Sequence, residues 1–299
     1  MPREDIEFSA DNVTLRGWFF PAEGAQSKCP VVVMVHGLSA VKEMYLDDYA
    51  ESFSQAGLNV LVYDHRNFGA SDGAPRQHID SMTQARDLRH AITYATGRED
   101  VDPGRVGIWG SSHGGGLVLS VAAVDRRVRA VVAQVPFISG SGQMTRLVRP
   151  DFLPTVRAQL DDERRNLYHG GEPTLMPAVD ADPLAPALMS SVESWEFFTK
   201  TAQDRAPSWR NEVTLGSLER IVEFEPGDGI HRISPTPLLM IVADQDISAY
   251  AELAFEAYER ALQPKQLVVL PCGHFDVYTG AAFEASSKAA CEHFVRALA

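Results

Sequence analysis

Apolar residues along this chain fall into short runs, separated by segments of helical period. Pro30-Val31-Val32-Val33-Met34-Val35 and Leu58 to Tyr63 are continuous runs, the pattern of strands buried on both faces. Arg105 to Trp109, Val128 to Val135, Pro237 to Ala243 and Gln266 to Leu270 repeat it. Ahead of them, Ile6 to Pro21 sets Phe8, Val13, Leu15, Trp18 and Phe20 around a polar turn at Asp11-Asn12, which predicts an antiparallel hairpin. Helices are predicted over Leu46 to Ala56 (stopped by Gly57), Ile79 to Thr96, Leu117 to Val124, Tyr250 to Leu262 and Ala281 to Leu298. Strands alternating with helices mean βαβ units. The expected class is therefore α/β, a mostly parallel twisted sheet flanked by helices.

Phe137 to Ser234 breaks this rhythm. It is rich in Pro, Asp and Arg, has no buried-strand run, and suggests helices only near Thr155 to Arg165 and Ser190 to Ala202. The expected organisation is a core of residues 1–136 and 235–299, with 137–234 inserted as a helical cap. A partly disordered loop is the alternative, but Trp195, Phe197, Phe198 and Trp209 need something to pack against.

Gly110-Ser111-Ser112-His113-Gly114 fits G-x-S-x-G, a weak signal alone. Here a buried run, Arg105 to Trp109, leads straight into it, and a small-residue helix beginning at Gly114-Gly115-Gly116 leaves it. That strand–turn–helix setting is what a nucleophile elbow demands: it lifts Ser112 above the sheet edge at a helix N-terminus. Ser111 is one place too early and should hydrogen-bond locally. A serine hydroxyl is a poor nucleophile and needs a base. His274 follows the run Leu267 to Leu270 in Pro271-Cys272-Gly273-His274-Phe275, where the base should stand after the last strand, and Gly273 gives it a flexible approach. The acid should follow the strand before, which ends at Ala243 and leads to Asp244-Gln245-Asp246. Both carboxylates are candidates, with Asp276 a third. Asp246 is preferred because Asp244 can cap the turn. The oxyanion donors expected are the N–H groups of Leu38, in the loop His36-Gly37-Leu38, and of His113. His36 is expected to brace its loop, and Asp64 to Ser71 to form a structural turn with a buried ion pair.

The formal net charge of −13, and basic residues that are scattered, argue against a nucleic-acid partner. Arg126, Arg127 and Arg129 form the densest group and are expected in a solvated turn. Three cysteines without a CxxC pair suggest neither a zinc site nor a redox motif, and they fit a reducing compartment. Met1 to Asp5 is charged and leads into no apolar stretch, and no run is long enough to span a bilayer, so the expected location is cytoplasmic. No metal or organic cofactor is implied, and self-association stays open.

The His36-Gly37 loop, the Asp64/Arg66/Gly69/Ser71 turn, the Ser112 elbow and the Asp246/His274 pair together resemble the α/β-hydrolase superfamily across nearly the whole chain. More narrowly, His36 to Glu43, Trp109 to Ser112 and Gln134 to Gly140 resemble the fungal polyketide transferase and thiohydrolase group and its bacterial relatives. So do Trp195 to Phe198, Pro237 to Met240 and Gly273 to Tyr278. Asn67 stands where many relatives carry glycine, which touches the turn and not the triad. The resemblance implies Ser–His–Asp acyl chemistry on ester or thioester bonds of a small-molecule acyl substrate. An acyltransferase would use the same residues. A ligand receptor on the same fold is disfavoured by the intact triad, and a dehalogenase or epoxide hydrolase by serine where those carry aspartate. Trp195, Met144 and Met176 are expected to line an acyl tunnel in the cap, with Phe197, Phe198 and Trp209 mainly holding the cap down.

Overall fold

A computed structural model of the chain describes residues 3–299; Met1 and Pro2, which open the charged N-terminal stretch, lie outside the described residues. The chain enters the sheet through a hairpin, β1 (Glu4–Ala10) and β2 (Val13–Phe20). Asp11 and Asn12 both have positive φ (47° and 65°), the conformation that the tightest two-residue hairpin turn requires and that Asp and Asn tolerate best. Then come β3 (Cys29–Val35), α1 (Leu46–Gln55), β4 (Asn59–Tyr63), α2 (Ser81–Thr96), β5 (Val101–Ser111), α3 (His113–Ala122) and β6 (Val128–Gln134). The segment that interrupts the alternation holds α4 (Gly140–Leu147), α5 (Leu153–Tyr168), β7 (Leu175–Met176), β8 (Val179–Asp180), β9 (Met189–Ser190), α6 (Val192–Asp204), β10 (Val213–Thr214) and α7 (Gly216–Val222). The alternation resumes with β11 (Leu238–Ala243), α8 (Ala251–Arg260), β12 (Lys265–Leu270) and α9 (Gly280–Ala297).

Eight strands form one sheet in the order β1-β2-β4-β3-β5-β6-β11-β12. Only β2 runs against its neighbours. Two apolar layers cover it. Leu88, Ile92, Leu117, Val118 and Ala254 pack on one face, and Tyr49, Phe53, Ala290 and Phe294 on the other. Runs such as Val31 to Val35 are buried throughout because both faces are covered, which is why they lack an alternating pattern.

The predicted elements of the core are present, with ends shifted by a few residues. β5 starts four residues earlier than the apolar run suggests, at Val101, and shifts register between Val106 and Gly107. In the inserted segment α5 and α6 fall where helices were expected, while α4 and α7 were not foreseen. The segment meets the core through a third apolar cluster: Phe198, Val179 and Ala206 against Ala40, Val41 and Met44. Trp209 donates from Nε1 to the Ser39 carbonyl at 3.0 Å, and Arg205, just past the end of α6, pairs with Asp47 and Asp48 in the first turn of α1.

Among the described residues no helix is long and apolar enough to cross a membrane. The Asp64 turn contains a buried ion pair, but Arg66 is not its partner: Asp64 takes Lys42 Nζ at 2.7 Å, and Arg66 pairs with Asp87 on α2. Arg127 folds back on Asp125 and Arg126 is exposed beside it, as expected of a solvated turn, while Arg129 is exposed on β6 itself.

Candidate active site

All the parallel strands end on one edge of the sheet, where loops are free to carry chemistry. Four of those loops converge here. β3 leads to His36-Gly37-Leu38, β5 to Ser112, β11 to Asp246 and β12 to His274.

Ser112 sits between β5 and α3 with φ 58° and ψ −123°, a conformation costing an L-residue of order 1–3 kcal/mol. The surrounding structure imposes it. Ser112 N–H is held by the Gln134 carbonyl at 2.9 Å, and the Ser112 carbonyl accepts from Gly116 and Phe137. The turn is tight enough that a Cβ on Gly110 would stand 2.1 Å from the Gly114 carbonyl oxygen, and one on Gly114 2.5 Å from that of Val35. Both glycines are thus required for space. Ser112 is partly exposed, whereas Ser111 is fully buried and accepts from the Tyr278 hydroxyl at 2.7 Å.

Ser112 Oγ lies 3.0 Å from His274 Nε2. On the other side of the ring, Nδ1–H donates to Asp246 Oδ2 at 2.6 Å. Asp246 is itself fixed, because its Oδ1 accepts from the N–H groups of Ser248 (2.8 Å) and Ala249 (2.7 Å). An acceptor held this way keeps the imidazole in the tautomer whose Nε2 faces Ser112. Asp244 is exposed, and Asp276 accepts from Gly273 N–H at 2.8 Å. The structure therefore brings Asp246, of the three candidate carboxylates, to the histidine.

Gly37 packs directly on the serine. A Cβ there would be 3.2 Å from Ser112 Cβ and 3.7 Å from Oγ, so the loop bearing Leu38 stands beside the hydroxyl. His113 opens α3, and its N–H belongs to the first helical turn, where no intrahelical acceptor is available. The loop is braced by His36: Nδ1–H donates to the Gly37 carbonyl at 2.9 Å while Nε2 accepts from His65 N–H at 3.0 Å. Burial pushes the pKa of His36 and of His113 down to about 3, so neither ring is protonated near neutrality. The His113 ring donates to Gln84 instead of facing Ser112.

The inserted segment touches both loops that hold the histidine and its acid. Gln143 on α4 donates to the Ser248 carbonyl, and Phe197 on α6 stacks on Phe275 at 4.5 Å, which in turn meets the His274 ring edge-on at 4.8 Å. Of the residues expected to line a tunnel, Met176 packs against the main core, Met144 is half-buried on α4, and Trp195 is 37% exposed on α6. Phe197, expected mainly to hold the segment down, also packs on the residue that follows the histidine. The residues sharing its helical face, Ser194 and Thr201, are polar, so no apolar period in the sequence marked that face as buried. Among the described residues no cluster of His, Cys, Asp or Glu could hold a metal ion.

A family model of the α/β hydrolase fold matches residues 30–281. The chain belongs to the α/β hydrolases. It is similar to a thiohydrolase of Eupenicillium brefeldianum, with 31% identity over 288 residues covering 95% of this chain and 91% of that one. The polyketide transferase grgF of Penicillium sp. is also 31% identical, over 92% of this chain and 90% of its own. A crystal structure of the α/β hydrolase GrgF from Penicillium sp. sh18 superposes with a TM-score of 0.86 at 28% identity, over 100% of this chain and 99% of that one. A bacterial relative, the quorum-quenching protein AidA of Acinetobacter baumannii (strain MDR-ZJ06), is 31% identical over 94% of this chain and 90% of its own. Resemblances read from short stretches thus extend over nearly the whole α/β hydrolase.

Proposed function

We propose that this α/β hydrolase cleaves ester or thioester bonds of an apolar acyl or polyketide-like small molecule, with Ser112 as nucleophile, His274 as base and Asp246 as the orienting acid. The observation that carries this reading is the continuous chain from Ser112 Oγ through His274 to Asp246, at 3.0 and 2.6 Å. Ser112 Oγ attacks the acyl carbonyl as its proton passes to His274 Nε2. Leu38 and His113 N–H groups face the oxyanion. Collapse breaks the bond to the leaving alcohol or thiol, which takes the proton from Nε2. A water then gives a proton to Nε2 and attacks the acyl carbon; collapse breaks the bond to Ser112 Oγ, which takes the proton back from Nε2, and the acid leaves.

In this reading residues 137–234 form a cap over the carboxyl edge, with Trp195, Met144 and Met176 on the acyl path. An acyltransferase replaces the water with an acceptor alcohol. That second reading is favoured by the name of the grgF relative, a polyketide transferase.

The test is a series of p-nitrophenyl esters and acyl thioesters from acetyl to decanoyl, with and without an acceptor alcohol, on wild type and Ser112→Ala. Each buried methylene contributes about 0.8 kcal/mol, so kcat/KM rises severalfold per added carbon until the path is filled. A profile that is flat or falls from acetate to decanoate removes the apolar-acyl reading. Failure of a fluorophosphonate probe to label Ser112 removes the serine mechanism.

A further inference from the structure

The loop that carries His274 is gripped by a carboxylate from outside the triad. Glu193 lies in the first turn of α6, and its Oε1 accepts from Phe275 N–H at 3.4 Å. A Cβ on Gly273 would stand 2.9 Å from that same oxygen and 3.4 Å from Asp276 Oδ2. A side chain at 273 would push the Glu193 carboxylate aside, and the φ of Gly273 is not in the left-handed region that favours glycine. Two carboxylates, Glu193 and Asp276, converge beside the residue that precedes the imidazole.

Glu193 is delivered by a fixed helix. Phe198 and Thr201 are buried one and two turns further on, and Arg205 at the helix end is tied to Asp47 and Asp48. The N-terminus is fixed as well, since Ser191 caps α6 by accepting from Ser194 N–H at 3.1 Å. The groups whose charges act on Glu193 are His274, Asp246 and Asp276; Asp244 joins them around the neighbouring Cys272 thiol. Half-burial pushes the Glu193 pKa up, while the neighbouring His274 and the Phe275 N–H favour its charged form.

We propose that Glu193 is a positioning residue for the base: from the inserted segment it holds the His274 loop, and its negative charge stabilises the imidazolium formed when His274 takes the Ser112 proton. This rests on the reading of His274 as base. Removing a negative charge disfavours imidazolium, so the variant histidine titrates at lower pH and is the weaker base.

The experiment follows the His274 ring by NMR in protein labelled at histidine Cε1, with the resonance assigned by its absence from His274→Gln. Wild type, Glu193→Gln and Glu193→Ala are compared, together with kcat, KM and melting temperature. In Glu193→Gln, which keeps an acceptor for Phe275 N–H but not the charge, His274 titrates about half a pH unit lower, plateau kcat falls about threefold and KM is unchanged. Glu193→Ala shows the same titration shift and a further fall in kcat as the loop loosens. Coincident His274 titration curves in wild type and Glu193→Gln overturn the proposal, even if Glu193→Ala melts earlier, because a purely structural contact needs no charge. The titration requires no turnover. A wild type that neither hydrolyses acyl esters nor labels at Ser112 therefore sinks the hydrolase reading, while the NMR curves still judge Glu193.

Discussion

The Tyr278 hydroxyl donates to Ser111 Oγ at 2.7 Å, directly behind Ser112, so the two adjacent serines have opposite surroundings. Ser111 is sealed in a buried polar contact, while Ser112 faces His274 and is partly exposed. Ser112→Ala should lower kcat on the order of 10⁶-fold, as losing the nucleophile does in the subtilisin series. Ser111→Ala should keep kcat within about tenfold and instead lower the melting temperature, because it leaves a buried phenol without its acceptor at roughly 1–3 kcal/mol. If Ser111→Ala is the inactive variant and Ser112→Ala turns over, the nucleophile is misassigned.

Asp246 and Asp244 are two residues apart and offer a sharp contrast. Asp246 is buried with three donors around its carboxylate, and Asp244 is exposed. Asp246→Asn should cut kcat by about 10⁴-fold by favouring the wrong imidazole tautomer. Asp244→Asn should stay within about tenfold of wild type, as surface substitutions do. Steady-state rates on one p-nitrophenyl ester decide it, and the reverse order would move the acid to Asp244.

The sheet and the elbow were legible because each is written locally. A buried strand is a run of neighbours, such as Val31 to Val35, and the elbow needs only residues 110 to 114. The Asp11-Asn12 turn is local too. What escaped depends on partners far along the chain. α4 contains Gly140 and Gly142 and offers little apolar period, so its helix rests on the Ser139 cap and on tertiary packing. Lys42 lies 22 positions from Asp64, and nothing near Asp64 names it as partner over Arg66. Glu193 is 82 positions from the amide it meets. As a charge in a helix's first turn it reads as a solvated, dipole-favoured residue, and only the fold brings it to the His274 loop.

Gly37 offers a test of the loop beside the serine. An alanine methyl there would sit 3.2 Å from Ser112 Cβ, tight enough to require a shift of a few tenths of an ångström. The loop is braced by His36 and its neighbours, so the shift falls between Leu38 N–H and the oxyanion position. Gly37→Ala is expected to lower kcat by about 10- to 100-fold, short of the loss of a whole oxyanion donor, with KM little changed. An unchanged kcat would mean that this loop does not set the oxyanion geometry.

Stability should fall on mild acidification because several histidines are buried neutral. Burial pushes His36 and His113 down to about 3, His293 down to about 4, and His65 well below its ordinary value. Unfolded, each takes up a proton near pH 6.5. Between about 6.5 and the folded values, the unfolded state binds more protons, so stability is full above about 6.5 and is lost as pH falls toward 3. Asp47 and Asp87, whose carboxyls burial pushes up, act in the opposite sense, but only as pH nears the carboxylate range. Urea midpoints from pH 8 to 5 should therefore decline below about 6.5, with an uptake of about four protons on unfolding and part of a fifth from His78, which burial also lowers. His293 lies in α9, beside the backbone of Pro237 and Val131, so His293→Phe should flatten the decline by about one proton and leave ester hydrolysis at pH 8 unchanged. Midpoints that stay level down to pH 5 in wild type would show that these rings are not held neutral by the fold.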